Sequence, residues 1–207
     1  MQRLLDVLAS GVHHAKNQLF LAESLIAVAE AKHGLDLSEA RYAIEAAAGR
    51  LTRTLSAYHL LREDARLSVL PCVIADLCEE VALAQRQHLE HAGLMLEVEC
   101  SVVDEWALDR DLVTDILNNA VQNAGRFATS RIRLEAKLDD GWLCFAVADD
   151  GPGFSRDASG EIRRGTGLTV AERIARLHER HQPPRQGALR LAGGGPLGGA
   201  LLELRLP

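Results

Sequence analysis

A chain of 207 residues can bury one sizeable core or two small ones, and its 47% hydrophobic and 25% charged residues are ordinary for a globular protein. Its formal net charge of -6 recommends neither nucleic acid nor an anionic membrane as a partner. The four cysteines (Cys72, Cys78, Cys100, Cys144) form no CxxC pair and have no histidine at zinc-finger spacing, so they read as reduced thiols of a cytoplasmic protein. The opening MQRLLDVLAS lacks the apolar core and cleavage site of a signal peptide, and no run approaches the roughly 20 apolar residues of a membrane span.

From about Arg3 to Lys32, apolar residues recur every three or four positions (Leu4, Leu8, Val12, Ala15, Leu19, Ala22, Ile26, Ala29), which predicts a long amphipathic helix. HGLD interrupts it, with Gly34 suited to the position just past a helix end. A second helix, with Asp36 or Ser38 near its start, carries Ala40, Ile44, Ala47, Leu51, Leu55, Tyr58 and Leu61 on one face. So short a join folds the pair back as an antiparallel hairpin, and its uncovered stripes predict a homodimer closed as a four-helix bundle. Composition changes after Ser68, near Pro71. The expected division is therefore 1–67 for the hairpin and 68–207 for a second domain.

In the second half, a helix is expected from about Pro71 to His91, then a strand, LMLEVECSV, and a helix from about Asp109 to Phe127. The strands RIRLEAKL and WLCFAVAD flank DDG, a strong hairpin signal. A glycine-rich loop, a helix near Gly167 to Arg180 and two strands, ALRLA and ALLELRLP, finish the chain. Helices with mainly antiparallel strands predict an α+β fold whose second domain is a two-layer α/β sandwich. His88 and His91, like His178 and His181, are spaced i, i+3 on these expected helices. With no third ligand in sequence, they read as solvated helix faces.

Three segments carry chemistry. In DILNNAVQNAGRFA, Asn119 and Asn123 share one helix face among apolar neighbours; carboxamide oxygens suit Mg²⁺, although a solvated polar stripe would read the same. In VADDGPGFS, Asp149 ends a strand and Gly151 and Gly153 follow, so backbone can approach a flat ligand while the carboxylate accepts from an exocyclic amine; a plain polar turn is the blander reading. In RRGTGLTVAERIARLH, Gly165, Thr166, Gly167 and Leu168 open a helix whose first amides and dipole suit phosphate, although the P-loop pattern is absent. Arg163 and Arg164 read as charged surface.

In this order, the three segments resemble the N, G1 and G2 boxes of the GHKL ATPase superfamily, most closely its histidine kinase branch, over about Leu70 to Pro207. The resemblance implies that Asn119 and Asn123 face Mg²⁺ and ATP, that Asp149 reads adenine, and that Gly151, Gly153, Gly165, Thr166, Gly167 and Leu168 flank the nucleotide. Gyrase-like hydrolases carry a glutamate at the position matching Asn119, so the asparagine implies a kinase. In the first helix, HHAKNQL resembles the family's phosphoacceptor box of the form H-R-x-K-N-x-L, at His13, Lys16, Asn17 and Leu19. Imidazole suits the role because its neutral ring nitrogen is already nucleophilic.

The chain departs from the family pattern at His14, where one large group has an acid, at Gln18, where that group has proline, and at Thr169, where LTV replaces LGL. The resemblance implies a two-component histidine kinase core. It would autophosphorylate His13 from Mg-ATP and pass the phosphoryl group to an aspartate on a response-regulator receiver domain, with Asn17 available for phosphatase work. The rivals are a kinase-derived histidine phosphotransferase that relays phosphoryl groups without ATP, and an anti-sigma-type serine kinase. The ordered boxes argue against the first and the HHAKN hairpin against the second.

Overall fold

The computed structural model describes residues 2–44, 47–49, 51, 66–157 and 159–207, and the side chains of 2–10, 12–14 and 16 lie outside this description. The chain divides into two compact units, Met1–Glu63 and Asp64–Pro207. In the first, helix α1 spans Gln2–His33. Gly34 ends it at φ 63, its N–H reaching the Glu30 carbonyl at 2.9 Å. The Glu30 carboxylate then holds the join, accepting from Leu37 N–H at 3.0 Å and Arg41 Nη1 at 3.2 Å. Asp36 accepts from Ser38 N–H at 3.1 Å as α2 begins, described over residues 38–44, 47–49 and 51. Ala15, Gln18 and Leu19 of α1 and Ala47 and Leu51 of α2 line one shared apolar groove. Phe20, Leu21, Leu25 and Val28 of α1 are exposed. Leu55, Tyr58 and Leu61 of the expected stripe lie outside the described residues.

The second unit is built on a five-stranded sheet in the order β2-β4-β5-β9-β8, from Met95–Cys100, Arg131–Asp139, Trp142–Asp149, Ala200–Leu206 and Ala188–Gly193. Only the β2–β4 pair is parallel. Alternation along the strands sends Ile132, Leu134, Ala136, Leu143, Phe145, Val147, Leu202, Leu204 and Leu206 into the core. Helices α3 (Ile74–His91), α4 (Arg110–Phe127) and α5 (Thr166–Leu177) pack on the sheet's strands. The intervening side chains form ion pairs instead: Arg133–Glu97, Lys137–Glu135 and Arg190–Glu203. One apolar and one charged sheet face make the expected two-layer sandwich. The β4–β5 hairpin closes at Asp140 and Gly141, both at positive φ (49° and 70°), the geometry that Asp-Gly favours.

Three expectations are corrected. Leu70–Val73 is not the start of a helix. It is strand β1, paired antiparallel with β3 (Glu105–Leu108), and α3 begins only at Ile74. Proline is tolerated in such a two-stranded ribbon because no second neighbour needs its missing N–H. The last helix stops at Leu177, short of Arg180, because residues 179–181 pair with 184–186 as the ribbon β6–β7. His178 and His181 therefore share no helix face.

His181 is exposed, whereas His178 is buried at the end of α5. Its Nε2 accepts from Asp109 N–H at 3.0 Å, which leaves the proton on Nδ1 to donate to the Ile174 carbonyl at 2.9 Å. Burial holds the imidazole below its ordinary range, against the opposing pull of the Ile174 carbonyl and the Asp109 charge. A depressed folded-state value means that the unfolded chain binds the proton first. The stability His178 contributes is thus complete above its ordinary value of 6.5 and declines as pH falls below it. Urea unfolding at pH 7.5 and 5.5 should show the wild type losing more stability than His178→Gln, whose amide does not titrate. An equal loss in both would assign the effect elsewhere.

Candidate nucleotide site

The site gathers at the end of β5. This strand lies centrally in the sheet and ends at Asp149, whose carboxylate is buried. A buried carboxylate needs donors, and backbone supplies them from both sides. Asp149 Oδ1 accepts from Gly151 N–H at 2.9 Å and from Ala200 N–H at 3.1 Å, while Gly199 N–H donates to the Asp149 carbonyl at 2.9 Å. Oδ2 takes no hydrogen bond among the described residues. One oxygen is thus fixed by the chain and the other is left to accept from something else.

Two glycines make this approach possible. A β-carbon at Gly151 would stand 2.2 Å from the Phe127 carbonyl oxygen. One at Gly199 would stand 2.3 Å from Asp149 Oδ1 and 2.6 Å from Gly151 N. Gly199 belongs to the turn GGGPLGG, where Gly194 N–H bonds the Gly199 carbonyl at 2.9 Å. Sequence reading passed over this turn, although its glycine density was a usable signal. Gly153 sits at φ 83, in the left-handed region that favours glycine.

Asp150 was also passed over. Its Oδ1 accepts backbone N–H groups from Thr129 (2.8 Å), Ser130 (3.0 Å) and Arg131 (3.1 Å), and its Oδ2 accepts the Ser130 hydroxyl at 2.6 Å. Those donors, the Ser130 hydroxyl first, hold its carboxyl far below the usual carboxylate range. Asp150 thereby ties the end of α4 to the turn that follows Asp149.

Helix α4 forms because Asp109 caps it, accepting Leu112 N–H on Oδ1 at 3.2 Å, and because Val113, Ile116, Leu117, Ala120, Val121 and Ala124 are buried. Asn119 shares that buried surface, and Asn123, one turn on, is half-buried. Neither carboxamide takes or gives a hydrogen bond among the described residues, whereas neighbouring Asn118 accepts from Gln85 Nε2 at 2.9 Å. Asn119 lies against the first turn of α5: a β-carbon at Gly167 would meet Asn119 Nδ2 at 2.8 Å. Gly165 is the N-cap of α5, its carbonyl accepting from Leu168 N–H (3.1 Å) and Thr169 N–H (3.2 Å). Thr166 is exposed on the first turn and Leu168 is buried.

The structure therefore brings Asn119 and the Gly165–Leu168 turn together, and gathers Gly151 and the Gly199 turn around Asp149. Arg164 pairs with Glu172 and so belongs to α5's own surface. Between Gly153 and Gly165 the chain makes a small ribbon, in which Arg163 N–H reaches the Ser155 carbonyl at 3.0 Å and Arg156 bridges Ile162. In the first unit, His13, Lys16 and Asn17 lie on α1. Asn17 is exposed, and the side chains of His13 and Lys16 lie outside the described residues.

Residues 108–205 match the family described as histidine kinase-, DNA gyrase B-, and HSP90-like ATPase. The sensor protein kinase CarS of Pseudomonas aeruginosa is 27% identical over all of this chain and 47% of its own length. Among solved structures, the histidine kinase AdeS of Acinetobacter baumannii is 15% identical with a TM-score of 0.64, covering 92% of this chain and 95% of its own. ShkA, solved full-length in complex with AMPPNP, is 21% identical with a TM-score of 0.65, covering 98% of this chain and 45% of that one. The second unit is thus an ATP-binding domain of the GHKL type. The chain is similar to sensor histidine kinases, and it spans about half or less of the length of the curated relatives it matches.

The closure over Asp149 predicts a sharp contrast between two glycines. Gly199→Ala places a methyl group where Asp149 Oδ1 stands and should cost about 1–3 kcal/mol in urea unfolding, as overpacking does. Gly193→Ala meets nothing within 4 Å and should stay within about 0.5 kcal/mol of the wild type. Equal midpoints for the two variants would show that the turn closes without the contact.

Proposed function

We propose that the chain is an ATP-dependent protein histidine kinase core. Its second unit would bind Mg-ATP, and His13 would accept the γ-phosphoryl group. The observation that carries this reading is the Asp149 carboxylate, with one oxygen held by two backbone amides and the other unengaged. The free oxygen suits the exocyclic amine of adenine. The first turn of α5 would receive phosphate oxygens on its unpaired amides, where the helix dipole favours negative charge.

The donor set also fits Mg²⁺, because Asn119 and Asn123 offer hard carboxamide oxygens from one helix face with no described partner. These two residues would hold the ion, which supplies charge neutralisation at the phosphates when bound. Within the chain, Gly167 lets α5 close onto Asn119, and Asp149 and the glycine turns fix the base. In the transfer, a neutral ring nitrogen of His13 attacks the γ-phosphorus, an N–P bond forms, the bond to the bridging oxygen breaks, and ADP leaves. Positioning and electrostatics would supply the rate.

Further along, the phosphoryl group would pass to an aspartate of a response-regulator receiver domain, with Asn17 exposed on α1 beside the acceptor. The exposed Phe20, Leu21, Leu25 and Val28 support a homodimer through the hairpin. No helix among the described residues is long and apolar enough to cross a membrane. We place the catalysis in the cytoplasm, where its nucleotide is.

Incubation with radiolabelled ATP and Mg²⁺ tests the proposal. The wild type should acquire label that is stable to alkali and labile to acid, and His13→Ala and Asn123→Ala should each remove it. Nucleotide binding with no label would mean an ATP-binding fold without autokinase activity. Absence of both would favour the relay phosphotransferase, to be checked by back-transfer from a phosphorylated receiver.

A further inference from the structure

Asp109 makes more contacts than a helix cap requires. Oδ1 caps α4 through Leu112 N–H, and Oδ2 accepts Ser68 N–H at 2.8 Å. Its own N–H donates to His178 Nε2, and the His178 ring is anchored in turn to the Ile174 carbonyl in the last turn of α5. Three pieces of chain therefore meet at one buried residue: the segment entering this unit and the start of α4 on the Asp109 carboxylate, and the end of α5 on its backbone N–H. The Gly187 N–H bond to the His178 carbonyl, at 2.8 Å, adds the approach to β8.

A second close approach lies at the other end of α5, where Gly167 leaves room for the Asn119 carboxamide. Asp109 and Asn119 are ten residues apart on α4, about 15 Å, and Gly167 and His178 are eleven apart on α5, about 16 Å. The two spans match, so the helices run antiparallel, held together by the Asp109–His178 bond at one point and in close approach at Asn119 and Gly167, mid-way along α4. A shift at the Asp109 end would be carried along both helices towards the Asn119–Gly167 approach.

We propose that Asp109 and His178 form a positioning clasp, through which the backbone of the entering segment at Ser68 sets the spacing between α4 and α5 at the proposed nucleotide site. The inference rests on the nucleotide reading only for its consequence; the mechanical coupling stands apart from it. Asp109 and His178 touch no reacting atoms. They act through Asn119 and Gly167.

Four variants of the full chain probe the clasp without removing a helix. Ser68→Pro deletes the donor of the entering segment. Asp109→Ser keeps a capping oxygen but gives up the second acceptor. His178→Gln offers an amide oxygen to Asp109 N–H and serves as the conservative rescue beside His178→Ala. In ¹⁵N-labelled protein without nucleotide, Ser68→Pro and Asp109→Ser should shift the Asn119 side-chain amide and Gly167 backbone amide signals, while the Asp139–Trp142 turn stays put. With the fluorescent analogue TNP-ATP, their dissociation constants should rise about five- to tenfold, the equivalent of one ordinary hydrogen bond. His178→Gln should bind more tightly than His178→Ala.

Folded variants whose Asn119 and Gly167 signals remain at wild-type positions would overturn the clasp. Shifted signals in a chain that never binds TNP-ATP would uphold the clasp and overturn the nucleotide reading instead.

Discussion

The second unit depends on how a buried carboxylate is satisfied at the end of its central strand. β5 is hydrogen-bonded on both sides, to β4 and β9, so Asp149 leaves the sheet with its backbone already committed. Its side chain can be neutralised only by what the following turns bring. The amides of Gly151, two residues on, and Ala200, 51 residues on, meet on one oxygen. That convergence explains why both turns contain glycine at the point of contact: any β-carbon at 151 or 199 would overlap backbone or the carboxylate itself. It also explains the position of Asp150, which fastens the Thr129–Arg131 backbone to the same turn. The floor of the proposed site is therefore mostly backbone, held by two adjacent carboxylates with different duties.

Helix α4 carries a second constraint. Asn119 is largely buried and makes no hydrogen bond among the described residues, while most of its neighbours are well-packed apolar groups. Asn118, beside it, shows the ordinary solution, a hydrogen bond from Gln85. Of the two asparagines, Asn118 is tied into the fold and Asn119 is not. Gly167 makes the same distinction from the facing helix, since its missing side chain is the space that Asn119 fills.

Much of this was legible in the sequence, and what was not has identifiable causes. α4 was plain because a capping aspartate precedes a strong 3.6-residue pattern, and the β4–β5 hairpin because Asp-Gly sits between two alternating runs. The order of the asparagine, DxGxG and GTGL segments pointed to the GHKL fold. The ribbons β1–β3 and β6–β7 escaped because strands of three or four residues hold too little periodicity to register, and Pro71 suggested a helix start in place of a strand. His178 was placed on a solvated face with His181 because spacing alone cannot show where a helix stops. The helix ends where the β6–β7 ribbon begins, and the ring is buried against Asp109, 69 residues away in the chain. The Gly199 closure is equally nonlocal: its partner lies 50 residues earlier, and nothing near it in sequence names Asp149.

An acidic chain proposed to hold a triphosphate has to explain the sign of its charge. Arg164, beside the glycine turn of α5, is engaged by Glu172, and Glu172 also pairs with Arg176, so these arginines stabilise the helix surface and neutralise nothing beyond it. What remains for an anion is the set of free amides at the start of α5, two hard carboxamide oxygens suited to a divalent ion, and the glycine turns. Each is a local, oriented dipole whose effect does not depend on net charge. Such a site gains from rigidity more than from added cations, because a dipole misaligned by a fraction of an ångström loses its value. The proposed clasp between Asp109 and His178 would add to that rigidity, although these residues lie at the opposite end of α5 from its glycine turn.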